Sequence, residues 1–244
     1  MIIKILDCFP YWKEYAQVTA RRDLWALYPE YDVTMIAMVG THTHSGSLIT
    51  STDSIREGTE NGIITFHIDL SYPNMGSWDR ERLQRDSLKD KILELGNSEY
   101  LVISSDADEL VNPEFINEIY KAACSYSYVT LEMVLLYYSI HTASVTPWLH
   151  PKAFMWDNCP NSLSDTRTSL SVYVQPNCGW HISWQGGKEA RETKAKAYAH
   201  TEHSTLEEIS RIENLVINSC DFSEIQLIPY NQTLLPYPLI ERLS

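Results

Sequence analysis

The first half of the chain switches between two spacings of apolar residues, and the switches mark its elements. Residues 2–7 form a short apolar run that reads as a strand. Residues 13–27 read as a helix, with Tyr15, Val18, Leu24 and Leu27 as its apolar contacts. Residues 32–39, Asp-Val-Thr-Met-Ile-Ala-Met-Val, predict a buried strand, followed by a polar loop from Thr41 to Asp53. Another strand falls at 62–69. A helix is predicted over 78–95, because Leu88, Ile92 and Leu95 recur at i, i+4 and i+7. The next run, Tyr100-Leu-Val-Ile, reads as a central strand that ends in acid. Asn112-Pro113 then gives an N-cap followed by proline at the first helical position, so a helix runs on to about Ala123.

The second half is less regular. Residues 126–138 read as a long strand or hairpin, with further strands near 153–156 and 170–175 and a polar stretch over 185–199. A last helix opens on the capping box Ser204-Thr-Leu-Glu207 and carries Leu206, Ile209, Ile212 and Val216 on one face. The tail after Ile228 reads as a surface wrap. Apolar strands alternating with helices predict an α/β fold, with a mainly parallel central sheet and helices on both faces. The 244 residues suit one domain, residues 1–244.

Composition narrows the function. The chain has 32 acidic and 19 basic side chains, a net charge of −13, which disfavours a general binder of nucleic acid phosphates. Hydrophobic residues reach 44%, enough for a core, yet no run approaches a transmembrane segment. Met-Ile-Ile-Lys-Ile-Leu-Asp lacks the longer apolar region of a signal peptide, so a cytoplasmic protein is expected. The five widely spaced cysteines contain no Cys-x-x-Cys and read as buried thiols. With only 9 glycines, no dinucleotide or P-loop glycine motif is present, so phosphate charge must be met by side chains or metal.

The informative local feature is Asp106-Ala-Asp108-Glu109, directly after the central strand. Ligands of open α/β sheets bind beyond the carboxyl ends of strands. Two carboxylates aimed at one point repel unless a cation lies between them, and an oxygen-only site suits Mg²⁺ or Mn²⁺. The bland alternative is a solvated turn whose carboxylates cap the next helix.

Several separated segments then fit one pattern: Asp7-Cys-Phe-Pro with Glu14 and Arg21; Thr43-His-Ser-Gly46; Trp78-Asp-Arg-Glu81-Arg-Leu-Gln84-Arg85; the acidic turn; Tyr137-Tyr138 and Trp148; Gly179-Trp180-His181-Ile-Ser183; and Lys194-Ala-Lys196 with His200-Thr-Glu202. In order and spacing they resemble glycosyltransferase family 17, the family of β-1,4-mannosyl-glycoprotein β-1,4-N-acetylglucosaminyltransferase, over about residues 5–205. The resemblance implies a glycosyltransferase A-type fold, with about residues 1–125 as the nucleotide-sugar half and 126–244 as the acceptor half. It implies a UDP-sugar donor such as UDP-GlcNAc, inversion at the anomeric carbon, and a glycan or other hydroxyl acceptor.

Roles follow as expectations. Asp106 and Asp108 stand at the metal and diphosphate position, with Mn²⁺ or Mg²⁺ as cofactor. Glu109 is a general base or a helix N-terminal carboxylate. His181 and His200 are candidates for a third metal ligand or a diphosphate hydrogen bond. Trp180 is a sugar platform or core. Lys194 and Lys196 clamp the diphosphate or form a solvated face. Arg85 binds donor or pairs with Glu81, four residues away. Asp7 meets the uracil or ribose. The rival readings are a metal-dependent phosphoesterase or glycoside hydrolase using the same carboxylates, and a non-catalytic sugar-binding homologue.

Overall fold

The computed structural model describes residues 2–49, 58–60, 62–72, 74–199 and 204–243. Its centre is a parallel block of four strands: β1 (Lys4–Tyr11), β2 (Asp32–Gly40), β4 (Ile63–Ile68) and β5 (Tyr100–Ser104), in the order β5-β1-β2-β4. An antiparallel β3 (Gly58–Glu60) closes one edge. On the other side β10 (Lys152–Met155) runs antiparallel to both β5 and β7 (Val129–Leu131), and β11 (Val174–Gln175) completes eight strands. A second sheet has the order β13-β9-β8-β12-β6, from β6 (Glu109–Val111), β8 (Val134–Tyr137), β9 (Thr142–Ala143), β12 (Gly179–Ser183) and β13 (Ile228–Pro229). The architecture is therefore mixed α/β with two sheets. The expected mainly parallel sheet is interrupted, because β10 returns between β5 and β7 antiparallel to both and leaves parallel pairing to the central block and the short β7–β11 pair.

Alternation along β1 sorts the core. Ile5 and Phe9 face a cluster that includes Val18 and Trp25 of α1 (Tyr15–Ala26), while Leu6 and Cys8 face Leu88 and Ile92 on the opposite side. Asp7 lies between Ile5 and Phe9, so it points at α1 within the packed layer.

Several expectations change. Tyr15 and Leu27 are exposed, and the buried face of α1 is made by Val18, Ala20, Arg21, Leu24 and Trp25. The helix over 78–95 is two helices, α2 (Ser77–Asp86) and α3 (Leu88–Leu95), meeting at Ser87. Residues 126–138 supply β7 to one sheet and β8 to the other, with Met133 between them pairing to Trp148. Asn112 caps a 3-10 turn, Pro113–Phe115, that leads into α4 (Ile116–Ser125). The polar stretch holds α6 (Lys188–Ala197). The next helix, α7 (Leu206–Ile217), is capped by Thr205, whose hydroxyl accepts from the Glu208 amide at 3.2 Å, one residue beyond the expected Ser204. The tail is no wrap: Leu235 and Leu239 are buried, and α8 (Tyr237–Leu243) packs against α1. Cys8 and Cys178 are buried, whereas Cys124 is exposed. Among the described residues no helix is long and apolar enough to cross a membrane.

Candidate functional site

The parallel strands β1, β2 and β5 deliver their carboxyl ends to one cavity of about 670 Å³, within the range of small-molecule sites. The acidic turn follows β5 directly, and Asp106, Ala107 and Asp108 all line this cavity. Four neighbours then define its chemistry: Arg85 from α2, Arg167 from α5 (Leu163–Thr168), Lys194 from α6 and His181 from β12.

Each aspartate is held by cations of the chain itself. Arg167 Nη2 donates to Asp106 Oδ2 at 2.5 Å, and Arg85 Nη1 lies 2.7 Å from Asp106 Oδ1. The second contact is an ion pair without hydrogen-bond alignment, and among the described residues neither atom has another hydrogen-bond partner. Burial would raise the Asp106 carboxyl, but Arg167 and Arg85 outweigh it and hold it at about 2. Lys194 Nζ donates to Asp108 Oδ2 at 2.9 Å, and His181 Nε2 stands 3.4 Å from Oδ1. Burial again opposes ionisation, and Lys194 with His181 drives the Asp108 carboxyl well below the usual carboxylate range. The His181 ring lies against Trp148, centroids 4.3 Å apart, and its buried Nδ1 has no hydrogen-bond partner among the described residues.

The scaffold under this site explains why the turn is fixed. Arg21 of α1 donates from Nε to Asp7 Oδ2 at 2.6 Å and from Nη2 to Asp7 Oδ1. It also reaches Asp106 O at 2.8 Å, Glu109 O at 3.0 Å and Ser105 Oγ at 2.6 Å. Trp25 Nε1 adds a bond to Asp7 at 2.8 Å. Glu109 is fully buried and accepts from Arg167 at 2.6 and 2.9 Å, Trp148 Nε1 at 2.5 Å and the Asp106 amide at 2.6 Å. Lys152 Nζ, buried, donates to the carbonyls of Leu149, His150 and Arg167 at 2.9, 3.0 and 3.1 Å, which fixes the end of α5. Burial, with the Arg167 charge adding to it, pushes the Lys152 ammonium down to about 8. On the far side, Arg191 binds Glu213 of α7 at 2.7 and 2.8 Å and pins α6, which aims Lys194 inward one turn later.

The expected site residues therefore divide. Asp106, Asp108, His181, Arg85 and Lys194 meet around the cavity. Asp7 and Glu109 lie behind it, consumed by Arg21 and Arg167. Trp180 is buried in a cluster with Leu110, Leu136 and Ile182, and its indole donates to Tyr230 Oη at 3.2 Å. Gly179 serves that same packing: at φ +149° its missing side chain leaves room for the Leu110 carbonyl, 2.0 Å from where a Cβ would stand. Lys196 points away and sits 3.7 Å from Glu192. His200 lies outside the described residues, as do Thr201, Glu202 and His203. Arg167, Lys152 and the cavity-lining Glu14 are additions. Glu14 stood in the resembling segment without a role, while nothing in the sequence around Arg167 or Lys152 distinguishes either from an ordinary surface cation.

The implied Mn²⁺ or Mg²⁺ does not fit the described donors. Among the described residues no three His, Cys, Asp or Glu side chains converge. Asp106 is enclosed by two guanidinium groups and Asp108 by an ammonium, so an ion arriving alone would have to displace them against like-charge repulsion. Calorimetric titration of the protein with Mn²⁺, without nucleotide, is expected to show no saturable binding in the micromolar range. A micromolar stoichiometric site would refute this reading of the donor set.

No protein-family model matches this chain, and no curated protein matches it. Among solved structures it is similar to S. aureus TarS 1-349, at 12% identity and TM-score 0.41, covering 88% of this chain and 73% of that one. It is likewise similar to S. aureus TarS, at 10% identity and TM-score 0.39, covering 86% and 43%. A third similar structure is S. aureus TarS 1-349 in complex with UDP-GlcNAc, at 9% identity and TM-score 0.40, covering 100% and 78%. At these scores the likeness decides nothing about this chain's chemistry, which has to come from the side chains around the cavity.

Proposed function

We propose that the cavity binds a nucleoside-diphosphate sugar and that the protein is an inverting glycosyltransferase of A type, acting on a glycan or other hydroxyl acceptor. The observation that carries this reading is the ring of Arg85, Arg167 and Lys194 around the acidic turn, at the carboxyl ends of parallel strands. The segments resembling glycosyltransferase family 17 favour UDP as the nucleotide and N-acetylglucosamine as the sugar.

Inverting transfer has an oxocarbenium-like transition state, in which the acceptor oxygen approaches C1 as the diphosphate departs. Two demands fall on the protein. The charge growing on the leaving diphosphate must be stabilised, and the acceptor hydroxyl must lose its proton. Guanidinium groups match phosphate oxygens bidentately, and Arg85 and Arg167 are already fixed in place by their carboxylate partners. Lys194 supplies a compact charge from the opposite wall. Asp106 and Asp108, held ionised, fix these cations rather than act as bases themselves.

The rival hydrolase needs a positioned water and no nucleotide. The two are separated by thermal-shift measurements with UDP, GDP and inorganic phosphate, followed by a nucleotide-sugar panel read by released diphosphate. A rise in Tm with a nucleoside diphosphate, and turnover of its sugar only with acceptor present, is the expected outcome. Indifference to every nucleotide, together with hydrolysis of simple phosphoesters or glycosides, would overturn the transferase reading.

A further inference from the structure

Transfer needs a base, and the carboxylates lining the cavity are unequal candidates. Asp106 lies between Arg85 and Arg167, and Asp108 between Lys194 and His181. Glu81 pairs with Arg85 at 3.2 Å, and Asp79 Oδ2 accepts the Gly76 amide at 3.0 Å at the start of α2. A carboxylate locked against a cation, or capping a helix start through its own side chain, has its charged form stabilised and is a poor proton acceptor, whereas the side chain of Glu14 makes no cap hydrogen bond to α1. Glu14 differs. It makes no ion pair among the described residues, and its one described side-chain hydrogen bond is from the Trp12 amide to Oε2 at 2.8 Å.

Local backbone places it there. β1 ends at Tyr11, and Lys13 adopts a left-handed conformation at φ 58°, uncommon for a residue with a side chain. The chain reverses in that turn, and Glu14 becomes the N-cap residue of α1, half-buried and facing the cavity. Among the described residues the charged groups acting on it are Lys194 from α6 and Asp108 from the acidic turn, with the phenol of Tyr11 nearby.

We propose that Glu14 is the general base of the transfer. This rests on the glycosyltransferase reading above. The Glu14 carboxylate takes the acceptor hydroxyl proton. The freed oxygen pair forms the new bond to C1, and the C1–O bond breaks with its electron pair passing to the diphosphate beside Arg85, Arg167 and Lys194. Atoms and charge balance with no further reactant. The surroundings of Glu14 suit a proton acceptor, since burial raises its carboxyl to about 7, Lys194 opposes this, and the Asp108 charge adds to it. Asp108 in the same cavity is pushed the opposite way, and such divergence between neighbouring carboxyls separates an acid–base group from a fixed anion.

The test is Glu14→Gln, which keeps size and a hydrogen-bonding end while removing the base. Wild-type kcat/KM is expected to rise with pH and level off above about 7, because the base works deprotonated. In Glu14→Gln transfer should fall about 10²–10⁴-fold and lose that acidic limb, while the UDP-induced shift in Tm is unchanged. Glu14→Asp should recover part of the rate. A Glu14→Gln enzyme that keeps wild-type rate and pH profile overturns the proposal, as does a limb that survives Glu14→Gln but vanishes in His181→Gln. Failure of the underlying reading looks different: the wild type itself then shows neither a nucleotide shift nor transfer.

Discussion

Arg21→Met is expected to be the most destabilising single substitution at this site, lowering stability by about 3–5 kcal/mol. Arg21 is 1% exposed and spends its guanidinium on the buried Asp7 carboxylate, two carbonyls of the acidic turn and Ser105. Removing it strands Asp7, which is completely buried, and releases the carbonyls of Asp106 and Glu109. For a chain of this size such a loss lowers Tm by roughly 6–20 °C. Asp7→Leu combined with Arg21→Met removes the stranded charge, so it should regain part of the loss. It should not regain all of it, because the carbonyls of the turn stay without their donor. A calorimetric scan of the three variants checks the order. Arg21→Met melting within a degree or two of wild type would show that the pair does not anchor the turn.

The same pair shows where the sequence was legible and where it was not. Apolar runs and their periods located the strands of the parallel block and the acidic turn after β5, because these signals are local. The second sheet was not legible. It assembles β6, β8, β9, β12 and β13 from short segments far apart in the chain, two of them only two residues long. At the break between α2 and α3 the Ser87 hydroxyl donates to the Leu83 carbonyl at 2.7 Å, and beyond the end of β7 Met133 pairs with the distant Trp148. In the site, residue types were readable but directions were not. From the sequence Asp7 reads as a strand end like Asp106, yet β1 runs on to Tyr11 and alternation along it turns Asp7 onto α1 and into Arg21. Glu109 adjoins Asp108 but opens β6 and faces Trp148 and Arg167. Trp180 and His181 are neighbours on β12 and face opposite sides, one into core and one into the cavity. Arg167 became visible only when α5 docked on α2 through Asp86, which accepts from Ser162 Oγ at 3.2 Å and the Ser164 amide at 2.9 Å.

Lys194→Met is expected to cost the most activity among the cation substitutions, lowering kcat by about 10²–10³-fold, the scale of losing one preorganised charge-stabilising donor. Three features set Lys194 apart from Arg85 and Arg167. It is the only one of these three that contacts Asp108. Its ammonium lies 5.6 Å from the Trp184 ring centroid, a cation–π contact that holds it toward the cavity. Its helix is pinned by Arg191 to Glu213, so the charge is delivered by a rigid element and not by a free surface chain. Methionine keeps the length and apolar stem while removing the charge, which isolates electrostatics from packing. Donor KM should rise far less than kcat falls, because the diphosphate charge that Lys194 meets grows during bond breaking. Lys194→Arg should restore part of kcat, whereas Lys196→Met, on the face turned toward Glu192, should leave kcat near wild type. A Lys194→Met enzyme with unchanged kcat and a raised KM would make Lys194 a ground-state binder. The growing charge would then fall to Arg85 and Arg167 alone.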